Sequence, residues 1–335
     1  MTVVHGGNVW QGQGPGAWLD FSANLNPEGP PKWVVEAMVR GLERAQYYPD
    51  LKGDAARRGV AGHLSVPEDC VLVTAGGIEA AALAASLPGS HVIAQPTFQE
   101  YGRLCGTFQN INQEKLHERP FSKGEILWIC NPNNPTGDAL DRDRVLELLD
   151  RAERAGAALV VDEAFIEYCP EASVADQVAD RPSLIVLGSL TKVLAIPGIR
   201  LGYMAAHRDV TQRFREGLTP WHLNCVADAV AAALPGHRAD FEAIRRLNDR
   251  RRERFARALR GLGIRVLPSR ANFLLCDFGR DMGPTIEALR ANGILVRPCG
   301  MFPGLDDGYV RLCVRTDEEN DKLVGNLEFV KQIPG

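Results

Sequence analysis

The 335-residue chain has no C-x-x-C pair. Its eight cysteines, Cys70, Cys105, Cys130, Cys169, Cys225, Cys276, Cys299 and Cys313, are scattered, several in apolar runs such as ILWIC and FLLC. Zinc and dithiol chemistry therefore have no support in the sequence. The thiols are expected to be reduced core residues of a cytoplasmic protein. Neither sign of charge is in excess: 38 basic and 42 acidic residues leave a net charge of −4. That excludes a general electrostatic attraction to nucleic acid or to an anionic membrane, so any affinity for phosphate must come from a local site. No apolar run reaches the ~18 residues of a membrane span. The opening MTVVHGGNVW lacks the charged and then apolar pattern of a leader. Internal repeats and low-complexity blocks are also absent.

What is present is an ordinary globular balance, 45% apolar and 24% charged. The length exceeds what one core needs, so more than one domain is expected. Residues 1–30, rich in Gly, Pro and Asn around the strand-like WLDFSAN, read as an extended arm packing on the rest. A helix is expected from Pro31 to about Ala45, with the proline in its first turn. From residue 70, short apolar strands alternate with helices: CVLVTAG, GIEAAALAASL, HVIAQP, EILWICNP, ALDRDRVLELLDRAERAG, AALVVDEAF, SLIVLGSL, IRLGYMAA. Val-, Ile- and Leu-rich strands without polar alternation suggest a sheet covered on both faces, hence a large α/β/α domain with a mainly parallel sheet over 31–235. After PGH the texture becomes α+β, expected as a small domain over 236–335. Its long Arg-rich helix reads as a solvated face laced with ion pairs.

Five features carry chemistry. Lys192 follows an apolar strand in GSLTKVLAIPGIR, where burial would depress its pKa and suit it to form a Schiff base. Ser189, Thr191 and Arg200 beside it look like a cup for a dianion. Asp162 ends the strand of ALVVDEAF; read alone, it fits a helix N-cap or an acid at the functional edge of a sheet. Asn134 lies in the NPNNPTG loop, either a plain turn or an amide held for a ligand. Gly76 and Gly77 stand between strand and helix, where backbone N–H groups can hold phosphate. Tyr101, in QPTFQEYGR, is either a core aromatic or a platform for a flat ring.

Gly-Gly, aromatic, NPNNPTG, DEAF, SLTK and Arg200 occur in that order, at strand ends. From about Asp20 to the C-terminus the chain resembles fold-type I pyridoxal-5′-phosphate (PLP) enzymes of the histidinol-phosphate aminotransferase branch. The resemblance implies that Lys192 carries PLP and that Asp162 pairs with the pyridine nitrogen, with Asn134 on the phenolic oxygen and Tyr101 stacked on the ring. It places the cofactor phosphate against Gly76, Gly77, Ser189, Thr191 and Arg200. Tyr48 would reach the phosphate of a neighbouring subunit, which implies a homodimer with active sites near the interface.

Within that branch, HGGN at His5 to Asn8, LDFSANLNP, YYPD, PWHLN with Trp221 and Asn224, and PGLDDGYVRLCVR are similar to the threonine-phosphate decarboxylases of cobalamin synthesis. Phe165 stands where the aminotransferases usually carry a Tyr that donates to the phenolic oxygen; Phe cannot donate. By this resemblance Arg311, with the Asn24 region, would hold a substrate carboxylate, and His5, Arg297 or Arg315 a substrate phosphate. The expected reaction is decarboxylation of L-threonine O-3-phosphate. Amino transfer from histidinol phosphate or a related amino acid is the alternative.

Overall fold

A computed structural model of the chain describes residues 5–10 and 14–331. Residues 1–4, 11–13 and 332–335, which belong to the expected arm and small domain, lie outside the described residues. The WLDFSAN piece forms β1 (Leu19–Asp20). The helix expected from Pro31 forms as α1 (Lys32–Leu42) and gives way to turns before Ala45. It is followed by a helix that the sequence reading did not anticipate, α2 (Asp54–Leu64). The buried face of α2 is made of small residues, Ala56, Gly59, Val60 and Ala61, so its apolar stripe is faint.

The apolar runs are strands of one seven-stranded sheet: β2 (Val71–Thr74), β3 (Ser90–Gln95), β4 (Phe108–Asn112), β5 (Glu125–Cys130), β6 (Ala158–Asp162), β7 (Leu184–Ser189) and β8 (Gly202–Ala206). Their order is β2-β8-β7-β6-β5-β3-β4. Only β8 runs antiparallel to its neighbours. The edge strand β4, FQNIN, is largely exposed and polar, which is why it escaped the sequence reading. The helices α3 (Gly77–Ala85), α4 (Glu100–Cys105), α5 (Arg142–Ala155), α6 (Arg208–Gly217) and α7 (Cys225–Ala232) complete this part of the chain. The central strands feed both faces with period two. Leu127, Ile129, Leu159, Val161, Leu184 and Val186 join one core. Ile126, Trp128, Val160, Ile185 and Leu187 join the other. Each such aliphatic side chain contributes roughly 1.5–3 kcal/mol relative to exposure.

The long α8 (Arg238–Gly261) leads into a second, four-stranded sheet. It comprises β9 (Arg265–Val266), β10 (Phe273–Asp277), β12 (Arg297–Pro298) and β13 (Tyr309–Cys313), ordered β12-β13-β10-β9. Helices α9 (Gly283–Ala291) and α10 (Asp317–Lys331) join it. Between β10 and β12, β11 (Ile294–Leu295) pairs in parallel with β1. The arm is therefore sewn to the C-terminal part of the chain. Phe21 N donates to Leu295 O at 2.7 Å, and Cys313 N donates to Phe21 O at 2.9 Å. The basic face of α8 is tied up in ion pairs: Arg251 to Glu28, Arg252 to Asp249, and Arg254 to Asp317 and Asp321. Among the described residues, no helix is long and apolar enough to cross a membrane.

Helix α7 is capped by Asn224, whose Oδ1 accepts from Val226 N at 3.1 Å and Ala227 N at 2.8 Å. Helix α2 approaches α7 so closely that a Cβ on Gly59 would lie 1.9 Å from Ala231 O. Ala is intrinsically the better helix former by about 1 kcal/mol, yet here the clash dominates. Gly59→Ala is expected to lower stability by about 1–3 kcal/mol, read as a drop in Tm. A rise in Tm would mean that the helices do not meet at this residue.

Candidate active site

The register of the large sheet brings its chemistry to one edge. Cys130 at the end of β5 stands opposite Asp162 at the end of β6, and Asp162 stands opposite Leu187 near the end of β7. Because β8 runs the other way, its first residue, Gly202, pairs with both Ser189 and Thr74. The Lys192–Arg200 loop between β7 and β8 therefore starts and ends at this same edge. Asn26 N donates to Lys192 O at 3.0 Å, so the arm segment is fixed to that loop. Above the edge lies a cavity of about 710 Å³.

Twelve of the residues expected from the sequence line this cavity: His5, Asn24, Gly77, Tyr101, Asn134, Asp162, Ser189, Thr191, Lys192, Arg200, Arg297 and Arg311. Asp162 is buried, which raises its pKa. The Tyr101 hydroxyl at 2.5 Å from Oδ2 and Ala164 N at 2.9 Å from Oδ1 oppose that rise. Burial, and then the positive charges of Arg311 and Arg200, push the Lys192 amine down to about 8, against a smaller pull from Asp162. Ser189 Oγ and Thr191 Oγ1 lie 2.8 Å apart. Gly76 does not line the cavity, but it backs the site. A Cβ there would sit 2.5 Å from Arg200 Nη2, and its φ of +84° disfavours any side chain. Arg200 itself has a φ of +61°, a conformation that non-glycine residues adopt only where their surroundings impose it.

Arg297 and Arg311 are directly opposite each other across β12 and β13. Like charges so placed are destabilising, and both side chains are buried, at 5% and 6% exposure. Among the described residues, neither makes an ion pair with an acid. Arg311 donates to Ser22 O at 2.8 Å and to Asn134 Oδ1, while its Nε has no partner. Burial pushes its pKa down to about 10. Among the described residues, the Arg297 guanidinium donates only to Met301 Sδ, at 3.3 Å. Asn24 Oδ1 is likewise buried without a partner.

Three expectations need correction or placement. Arg315 is not in the cavity. It lies beyond the end of β13, where it pairs with Glu319 at 2.8 Å and donates to Asp20 O at 2.9 Å. Tyr48 is also outside this chain's cavity: it is 80% exposed, with its ring 4.8 Å from that of Trp221. Tyr101 lines the cavity but is fully buried. Its ring packs on Trp128 at 5.3 Å and edge-on to Phe98 at 5.4 Å, and its hydroxyl binds Asp162, a contact the sequence reading missed. That reading also missed Ser22, Phe98, Glu100, Arg103, Cys130 and Phe302, which line the cavity too. Glu100 adjoins Tyr101 in QPTFQEYGR, so position was the available signal.

These residues fit PLP. They offer a buried acid that accepts two hydrogen bonds, an amine of lowered pKa, paired hydroxyls beside an arginine, and a glycine turn that a Cβ would obstruct. Residues 17–327 match the family model described as "Aminotransferase class I and II". The chain is 33% identical to the threonine-phosphate decarboxylase of Salmonella typhimurium, over 98% of this chain and 97% of that one. It is 30% identical to the histidinol-phosphate aminotransferase of Geobacillus thermodenitrificans, over 93% of this chain and 90% of that one. The crystal structure of L-threonine-O-3-phosphate decarboxylase from Porphyromonas gingivalis superposes with a TM-score of 0.86 at 28% identity, covering 93% of this chain and 99% of that one. The chain thus belongs to the class I and II aminotransferase family and is a fold-type I, PLP-dependent enzyme.

Proposed function

We propose that the enzyme decarboxylates L-threonine O-3-phosphate to (R)-1-amino-2-propanol O-2-phosphate, a step of cobalamin synthesis. The observation that carries this reading is the Arg297–Arg311 pair: two buried cations, face to face and without acidic partners. Such a pair suits a ligand that brings two anionic groups. Threonine phosphate brings two, a carboxylate and a phosphate. The alignment with the Salmonella decarboxylase along nearly the whole chain supports the same reading.

In this reading Lys192 holds the cofactor, and Asp162, fixed by the Tyr101 hydroxyl, holds its pyridine nitrogen. Gly76, Gly77, Ser189, Thr191 and Arg200 hold its phosphate. Arg311 occupies Asn134 Oδ1, which leaves the Asn134 amide nitrogen as the donor for the phenolic oxygen. Phe165 adds no second donor there; its ring packs edge-on against Phe273 at 5.0 Å. When bound, PLP supplies the electron sink for whichever Cα bond breaks. Selection of that bond is a matter of binding. Arg311, with Asn24 beside it, takes the carboxylate, and Arg297, with His5, takes the phosphate. Fixing both ends sets the carboxylate bond upright to the ring plane. Lys192 Nζ, freed by the substrate amine, is placed to carry the proton that Cα takes up as CO₂ departs. Residues of α1 and the segment after it, including Val39, Leu42, Tyr47, Tyr48 and Leu51, are more than half exposed. Exposed apolar side chains of this kind suit a second copy of the chain, with Tyr48 reaching across to its neighbour's cofactor phosphate.

The test is to mix PLP-loaded protein with O-phospho-L-threonine, with no 2-oxo acid present, and measure CO₂. Catalytic release is expected. No release, together with amino transfer from histidinol phosphate to 2-oxoglutarate, would replace the reading with the aminotransferase one. Separately, Tyr101→Phe removes one of the two donors that favour the ionised form of Asp162. A hydrogen bond to a charged group contributes about 1.5–3 kcal/mol, so PLP affinity is expected to fall roughly tenfold or more. Unchanged affinity in a cofactor titration would show that Asp162 does not depend on that hydroxyl.

A further inference from the structure

Two acids line the cavity among the described residues, Asp162 and Glu100, and the proposed chemistry uses only the first. Glu100 opens α4 and is 4% exposed. A carboxylate buried where an anionic substrate must bind gives up its water and also repels the ligand. It is tolerated here because both oxygens are occupied. Oε2 accepts from Arg103 Nε, a neighbour on the same helix. Oε1 lies 3.0 Å from His5 Nε2.

His5 arrives from the N-terminal arm, and its side chain is 53% exposed. From there the arm passes over Ser22. A Cβ on Gly6 would lie 2.1 Å from Ser22 O, and Gly7, with a φ of +77°, donates its N–H to Ser22 Oγ at 2.8 Å. Ser22 Oγ in turn donates to Asp20 Oδ1 at 2.6 Å, while Ser22 O accepts from Arg311. His5–Gly7 is therefore a strap. One end is fixed to the backbone that orients Arg311, and the other meets the opposite wall through Glu100. Besides that contact, among the described residues His5 makes only a tilted ring approach to Phe98, at 6.4 Å.

The structure assigns Glu100 as a positioning residue: through His5 it fastens the N-terminal arm across the cavity, keeping the imidazole beside the phosphate end of a doubly anionic substrate. The substrate class rests on the proposed reading; the fastening does not. Glu100 itself need touch neither substrate nor cofactor.

The experiment uses PLP-loaded protein in four forms: wild type, Glu100→Ala, His5→Ala and the double variant. Amide hydrogen exchange of residues 5–10, without substrate, is expected to speed up about tenfold in Glu100→Ala. The absorbance of the bound cofactor is expected to stay the same. In steady-state decarboxylation, KM for O-phospho-L-threonine is expected to rise about tenfold in each single variant, with a much smaller change in kcat. The double variant should be no worse than either single one, because the two residues act through one contact. His5→Ala, at a half-exposed side chain, keeps the test open should Glu100→Ala fold poorly. Unchanged arm exchange in Glu100→Ala, additive effects on KM, or tighter substrate binding in Glu100→Ala would each overturn the assignment. If wild type releases no CO₂, the proposed reaction falls, and the exchange measurement still decides the fastening.

Discussion

The site is organised around one costly group, the buried carboxylate of Asp162. Loss of water favours its neutral form, and only a few fixed donors oppose that: the Tyr101 hydroxyl and the backbone of Ala164, with Lys192 adding a weaker charge effect. Those donors are available because the sheet register sets the ends of β5, β6 and β7 level, and because Tyr101 is wedged against Trp128 and Phe98. Packing on the helix side of the sheet thus determines the charge state at its edge. An ionised acid at this point is what a pyridine nitrogen needs if it is to remain protonated.

The same low-dielectric setting acts in the opposite sense on the cations. Lys192 is pushed toward the neutral form that a nucleophilic amine requires. Arg311 also loses some of its preference for charge but stays cationic. Arg297 and Arg311 face each other, and among the described residues neither pairs with an acid, which costs stability. That expense is consistent with a site that is completed by its ligand, since local conflicts of this kind concentrate at functional positions. Glu100 and Asp162 limit the positive charge, and each is held by its own set of donors.

Much of this was legible in the sequence. Val-, Ile- and Leu-rich runs without alternation marked strands buried on both faces, and the chemical residues stood directly after them. Lys192, Asp162, Asn134 and Arg200 could be found because strand ends in an α/β sheet converge on one edge. The illegible parts depend on contacts distant in sequence. Arg311 and Arg315 look alike in YVRLCVR, but β13 stops at Cys313, and Arg315 turns to Glu319 of α10. Tyr101 was recognisable as an aromatic after a strand; that its hydroxyl would reach Asp162 depends on how α4 packs beneath the site. Glu100 gave no signal of burial, because a glutamate in the first turn of a short helix is ordinarily solvated. Helix α2 escaped because its interface is made of glycine and alanine and gains from close approach instead of large apolar area.

The central claim is that Lys192 is the residue that carries PLP. Borohydride reduction of the PLP-loaded protein, followed by digestion and mass mapping, tests it directly. The account predicts one modified peptide, with the cofactor fixed on the lysine of SLTKVLAIPGIR. A cofactor fixed on any other lysine, or none retained after reduction, would contradict the assignment of the site.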